Sequence, residues 1–165
     1  MKKVVYLLSI SVITLLTLNS CSKDEELEPR FFFGEYVGNC NIEYYDSEGV
    51  HLRSRDEVGV DCSVRVTENV RISNEILIYL EIGPGRNIQL SCVTDDLDCR
   101  TDAEKIDWCS LKSRHPLTIK DSSSSFDKTT FSDFNFDINK KDGVFELYLY
   151  LGSKNSTKIR VQAYK

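Results

Sequence analysis

Apolar and polar residues alternate one by one along most of this chain, and a period of two commits a chain to β-strands with one buried face. Over 59–67, Val60, Cys62, Val64 and Val66 share one face, while Asp61, Ser63, Arg65 and Thr67 share the other. Ile76, Ile78, Leu80 and Ile82 repeat the pattern, with Leu77 and Tyr79 between them, and so do Ile88, Leu90 and Cys92. Phe134, Phe136 and Ile138 follow, then Phe145, Leu147, Leu149 and Leu151, and finally Ile159, Val161 and Ala163. With strands over 35–45 and 117–120, the pattern predicts about eight strands.

Turn residues separate these runs: Gly83-Pro84-Gly85-Arg86, Lys140-Lys141-Asp142-Gly143 and Gly152-Ser153-Lys154-Asn155. Short links make sequence neighbours pair as antiparallel hairpins. Registers that keep the apolar rows together set Ile82 opposite Ile88, Ile138 opposite Phe145 and Leu151 opposite Ile159. The expected fold is all-β, an antiparallel meander of about eight strands closing into a barrel, with a β-sandwich as the alternative. The pattern breaks near Thr101-Asp102-Ala103-Glu104, which has the form of a capping box and predicts one short helix over 102–109. The run Ser122–Ser125 between Asp121 and Asp127 reads as a solvated loop.

The amino terminus is organised differently. Lys2 and Lys3 precede an apolar stretch from Val4 to Leu18, too short to span a bilayer, so residues 1–20 read as a signal peptide. The exit Leu18-Asn19-Ser20-Cys21 resembles a bacterial lipobox. That resemblance implies cleavage before Cys21, diacylglycerol on its thiol and further acylation of the new terminus, hence a membrane partner through the anchor. Lys23, Asp24, Glu25 and Glu26 are similar to the export signal of Bacteroidota surface lipoproteins, which implies an outer-membrane protein facing the exterior, with the periplasmic face as the alternative. Residues 21–30 then read as the acylated Cys and an acidic flexible tether, and 31–165 as one β domain.

Removing Lys2 and Lys3 with the signal moves the formal charge from −5 to −7. A net acidic domain does not track a phosphate backbone, which argues against nucleic acid. Five cysteines remain after the anchor: Cys40, Cys62, Cys92, Cys99 and Cys109. An exported chain favours disulfides, and an odd number leaves a free thiol. The register that aligns the first two strands sets Cys40 opposite Cys62, an expected bridge, while Cys99 and Cys109 bracket the capping-box turn as a second candidate pair. No CxxC pair accompanies them and neither His51 nor His115 lies near a Cys cluster, so no metal or cofactor is expected. The six acids over 94–107 fit no EF-hand spacing and read as a solvated loop.

GxSxG, HExxH and phosphate-cradling glycine motifs are missing from the chain, and the residues point away from an enzyme. Tyr79, Tyr148, Tyr150 and Tyr164 fall on the outward side of their strands and are the binding candidates. Gly34-Glu35-Tyr36-Val37-Gly38 is similar to the G-x-W of strand one in lipocalins, with Tyr36 in the Trp position, and Arg160 near the last strand falls on the outward parity. The resemblance implies a lipocalin-like binding module for a small apolar or amphipathic ligand. The inward rows are also bulky enough to fill such a barrel themselves. The alternative is a protein-interaction module, an inhibitor or accessory subunit of a surface complex, using the tyrosine-bearing face. If the export reading holds, replacing Asp24, Glu25 and Glu26 together by Ala removes surface-protease sensitivity in whole cells, and unchanged sensitivity counts against it.

Overall fold

The first long strand and the last strand lie side by side in the middle of the sheet and join its two halves. The structure, a computed structural model, describes residues 25–46, 48–112, 119–124, 134–152 and 157–165. Its strands are β1 (Glu25–Glu26), β2 (Gly34–Tyr44), β3 (Glu57–Glu68), β4 (Glu75–Ile82), β5 (Arg86–Val93), β6 (Leu97–Thr101), β7 (Asp107–Leu111), β8 (Ile119–Ser124), β9 (Phe134–Lys141), β10 (Val144–Leu151) and β11 (Thr157–Tyr164). All eleven belong to one sheet, ordered β1-β6-β7-β9-β10-β11-β2-β3-β4-β5-β8. Every pairing is antiparallel, and nine strands form a nearly closed, barrel-like sheet.

The all-β antiparallel architecture matches the sequence reading, but the chain is not a simple meander. The β6–β7 hairpin leaves β5 and joins the other side of the sheet, where β7 pairs with β9. β8 returns to pair with β5, so Ser122, Ser123 and Ser124, expected in a loop, stand opposite Leu90, Gln89 and Ile88. An unpaired sheet edge offers backbone donors and acceptors to any neighbouring chain whatever its side chains.

The short helix expected over 102–109 is instead the turn of that hairpin and its second strand. Asp102 Oδ1 accepts hydrogen bonds from the Glu104 and Ile106 amides at 2.8 and 3.0 Å. The chain reverses with Lys105 at φ 59°. A side chain that can cap a helix can equally close an Asx-type turn, and here the pairing of β6 with β7 decides between them. Residues 25–30 are likewise not a free tether. Glu25 and Glu26 pair with Thr101 and Arg100, the Leu27 amide bonds the Cys99 carbonyl at 2.9 Å, and a 3₁₀ turn over Pro29–Phe32 buries Phe32 in the core.

The inward rows are those the alternation named, yet each predicted register is off by two residues. Ile88 faces Leu80, Ile138 faces Leu147 and Ile159 faces Leu149. A slip of two keeps every side chain on its face, so the pattern alone cannot detect it. The same slip separates the expected bridge: Cys40 faces Val60 and Cys62 faces Gly38. Cys40 and Cys62 are buried free thiols. A bulge near Asn41 completes the change, with Gly59 at φ 68° and its amide donating to Asn41 Oδ1 at 2.9 Å. Beyond it, Glu57 is clamped by Arg86 Nη1 at 2.8 and 2.9 Å and by the Tyr44 hydroxyl at 2.9 Å, which hold its carboxyl below the ordinary range.

Inside, Tyr36, Phe136, Phe145, Leu147, Leu149, Ile78 and Leu80 are each at most 1 % exposed. Tyr36 stacks on Phe145 with centroids 4.0 Å apart, and its hydroxyl donates to the Phe32 carbonyl at 2.9 Å. Phe145, Ala163 and Gly38 stand in one row across β10, β11 and β2. At Gly38 a Cβ would lie 2.1 Å from the Gln162 carbonyl oxygen and 2.6 Å from the Ala163 Cα, both backbone atoms that cannot step aside. Gly38→Ala is therefore expected to cost about 3 kcal/mol by overpacking and to lower Tm by roughly 10 °C, read by thermal circular dichroism. A change below about 0.5 kcal/mol, the level of an ordinary surface substitution, would mean that the seam tolerates separation.

Candidate functional site

A lumen large enough for a ligand would leave accessible area on the side chains that line it, and the inward rows have almost none. The described concave features lie on the outside. One is an open groove of 610 Å³ on the outer wall of β3, β4 and β5, within the volume range of small-molecule sites.

Its floor is written by register. Arg65, Tyr79 and Gln89 stand in one outward row, and Thr67, Leu77 and Ser91 in the next. The Arg65 guanidinium lies over the Tyr79 ring, 4.7 Å from its centroid, with the Glu35 carboxylate 3.9 Å away. A planar cation on an aromatic face is held there while its donor edge stays presented.

The wall is the β3–β4 loop, shaped by Asn69. The Asn69 Oδ1 accepts from the Arg71 amide at 3.0 Å, and its Nδ2 donates to Glu75 Oε2 at 2.9 Å. The Asn69 amide donates to the Glu75 carbonyl at 2.9 Å, and Asn74 reverses the chain at φ 71°. Tying both ends of the loop to one side chain lifts Val70 and Ile72 clear of the wall, 98 % and 48 % exposed. Glu75, only 3 % exposed, closes the inner end. The groove thus offers an apolar surface (Leu77, Tyr79, Ile72, Val70), two guanidinium groups (Arg65, Arg71) and amide and hydroxyl donors.

The four tyrosines do not share a surface. Tyr79 is on β4 and Tyr148 on β10, with β11, β2 and β3 between them, about 19 Å around the wall at ordinary strand spacing. Tyr148 stands opposite Arg160, whose guanidinium lies 5.3 Å from the ring centroid. The Tyr148 hydroxyl donates to Glu146 Oε2 at 3.3 Å, and burial foremost pushes its pKa up. Tyr150 lies between Asn135 and Lys158. Tyr164, 55 % exposed, pairs with Val144 and Val37, away from Tyr148 along the ladder. Arg160, outward as its parity implied, covers Tyr148.

The remaining sequence candidates are largely structural. Cys99 and Cys109 face each other across β6 and β7 and form a disulfide. Cys40 and Cys62 share a hydrogen bond that lowers the pKa of the first and raises that of the second, and burial pushes Cys92 up to about 12. The acids of the 94–107 stretch are engaged locally, Asp98 with Arg100 at 2.8 Å and Asp107 with the Thr101 hydroxyl at 2.7 Å. His51 pairs with Asp56 at 3.0 Å and stacks on Tyr45. Cys21, Lys23, Asp24 and His115 lie outside the described residues.

Comparison with protein-family models, curated proteins and solved structures finds no match. The groove's loop escaped sequence reading because 69–74 looks like any polar turn. The available signal was two apolar residues, Val70 and Ile72, inside a segment flanked by asparagines. Asn69→Ala is expected to cost about 1–2 kcal/mol, since it removes the side-chain acceptor of the Arg71 amide and one hydrogen bond to the buried Glu75 carboxylate. Hydrogen exchange should quicken at residues 70–74 alone, and unchanged protection there would show that the loop is held by other contacts.

Proposed function

We propose that the chain is a lipid-anchored binding module that takes an amphipathic ligand with an anionic group on the outer wall of its barrel, not in its lumen. The observation that carries this reading is the contrast between a lumen filled by its own side chains and an open 610 Å³ groove outside it. In the groove, an apolar body would cover Leu77, Tyr79 and Ile72, while Arg65 and Arg71 meet the anionic end. Guanidinium groups suit this task because they pair with carboxylate or phosphate through two parallel hydrogen bonds. The anchor at Cys21 and an outer-membrane address at the exterior belong to the same proposal and rest on the lipobox and on Lys23, Asp24, Glu25 and Glu26.

A second reading has its own observation. Tyr148 and Tyr150 sit among Arg160, Lys158, Asp137 and Asn135 on adjacent strands, a tyrosine–arginine mixture common at protein interfaces. Calorimetric titration with oleate and dodecyl phosphate separates the two. Wild-type protein should bind at least one amphiphile, and the Arg65→Ala, Tyr79→Ala double variant should weaken it about tenfold or more, equivalent to about 1.4 kcal/mol. Tyr148→Ala, Tyr150→Ala should leave that binding unchanged. Absence of amphiphile binding by the wild type, or its loss only in the second variant, would overturn the groove reading.

A further inference from the structure

The ladder of registers sorts the loops of the barrel into two ends. Thr101 beside the 102–106 turn, Lys141 beside the 142–143 turn, Tyr164 before the terminal Lys165, and Val66 before the 69–74 loop all stand at one end. The loop that follows Tyr44, the 83–85 turn and the paired residues Leu151 and Thr157 stand at the other. Glu25 joins the sheet opposite Thr101, at the first end.

Two observations on that end coincide. Only Ser22, Lys23 and Asp24 separate Cys21 from Glu25, so the anchor and the first paired residue are at most ~14 Å apart. The exposed large apolar side chains are also unevenly shared. Among the described residues, Phe31, Val37, Val70, Ile72 and Tyr164 lie at or within one strand pair of this end, 45–98 % exposed, and only Val50 and Val58 lie toward the other. Lysines accompany them: Lys140 lies 4.4 Å from the Phe31 ring centroid, and Lys165 approaches Gly34. Long cationic stems beside exposed apolar groups fit a membrane interface, where the stem lies along hydrocarbon and the head reaches the phosphates.

We infer that this end of the barrel rests on the phospholipid surface, with Val70, Ile72, Phe31 and Tyr164 in the headgroup region, and that the 45–56 loop faces away from the membrane. The inference rests on acylation of Cys21 and adds an orientation to it. A tether reaching at most ~14 Å cannot let a barrel of this size turn over. Acids balance the basic residues of this end (Glu28, Glu68, Glu104 and Asp142 among them), so contact comes from apolar burial and the anchor rather than from attraction to anionic lipid.

The test reconstitutes the acylated full chain in vesicles of phosphatidylethanolamine and phosphatidylglycerol. A fluorophore is carried at Val70→Cys or Tyr164→Cys on one end, and at Val50→Cys or Val58→Cys on the other. Quenching by lipids brominated near the headgroup should be roughly threefold or more stronger for the first pair than for the second, because interfacial burial reaches only about 5–10 Å. Flotation of the same samples reads the anchor separately. Vesicle-bound protein with equal quenching at both ends overturns the orientation alone. Acylated protein that fails to float overturns the anchor and this inference with it. Agreement of the two labels at each end guards against a local effect of either substitution.

Discussion

The pairing of β11 with β2 is the contact on which the rest depends. It joins two halves that are each locally assembled, the hairpins of β2–β5 and those of β9–β11. Without it, both halves would expose an apolar face and an open edge, the configuration that invites aggregation. The seam is tight because Gly38 lets the β11 backbone approach more closely than any side chain would allow. Alongside it, the small Ala163 and Gly38 continue the row begun by Phe145, and the Phe145 ring lies flat on Tyr36. Joining the halves and filling the interior are therefore coupled, and the entropy of bringing the chain's two ends together is offset by a stacked aromatic core.

A barrel filled by its described inward rows is the reason the proposed binding site is placed on the outside. The outer wall is not uniform: cation–π pairs punctuate it, Arg65 on Tyr79, Arg160 on Tyr148 and Arg100 on Trp108. Each holds a guanidinium flat and limits the entropy lost when a ligand or partner engages it. What distinguishes the first pair is the loop beside it, where Asn69 builds a wall and turns a flat sheet face into a concave one. In the orientation inferred above, that wall and its apolar lip stand next to the bilayer, where an amphipathic ligand is concentrated.

Much of the fold was legible because burial imposes a period of two on the sequence. Ile78, Leu80, Phe136, Phe145, Leu147 and Val161 were read as inward, and all are buried. Cys99 and Cys109 were legible from their spacing around a turn. The registers were not, because parity repeats every second residue and a slip of two leaves Cys40 and Cys62 on the same face while separating them along the strands. The turn at Asp102 was misread for a related reason, since one side-chain oxygen can close either a helix or a hairpin. The groove was less legible still: its floor pairs Arg65 with Tyr79 and Tyr79 with Gln89, contacts set by registers that parity leaves open.

By itself, then, the sequence determined the β-class of this protein, the inward face of its long strands and the acidic balance. These are properties of single residues and of their nearest periodicity, and physical chemistry reads them locally. The tertiary structure decided the strand order, the registers, the tight seam at Gly38, the close filling of the interior by the described inward rows and the place where Asn69 raises a wall over Tyr79. Each of these depends on which distant segments meet, and that is settled by packing the whole core at once.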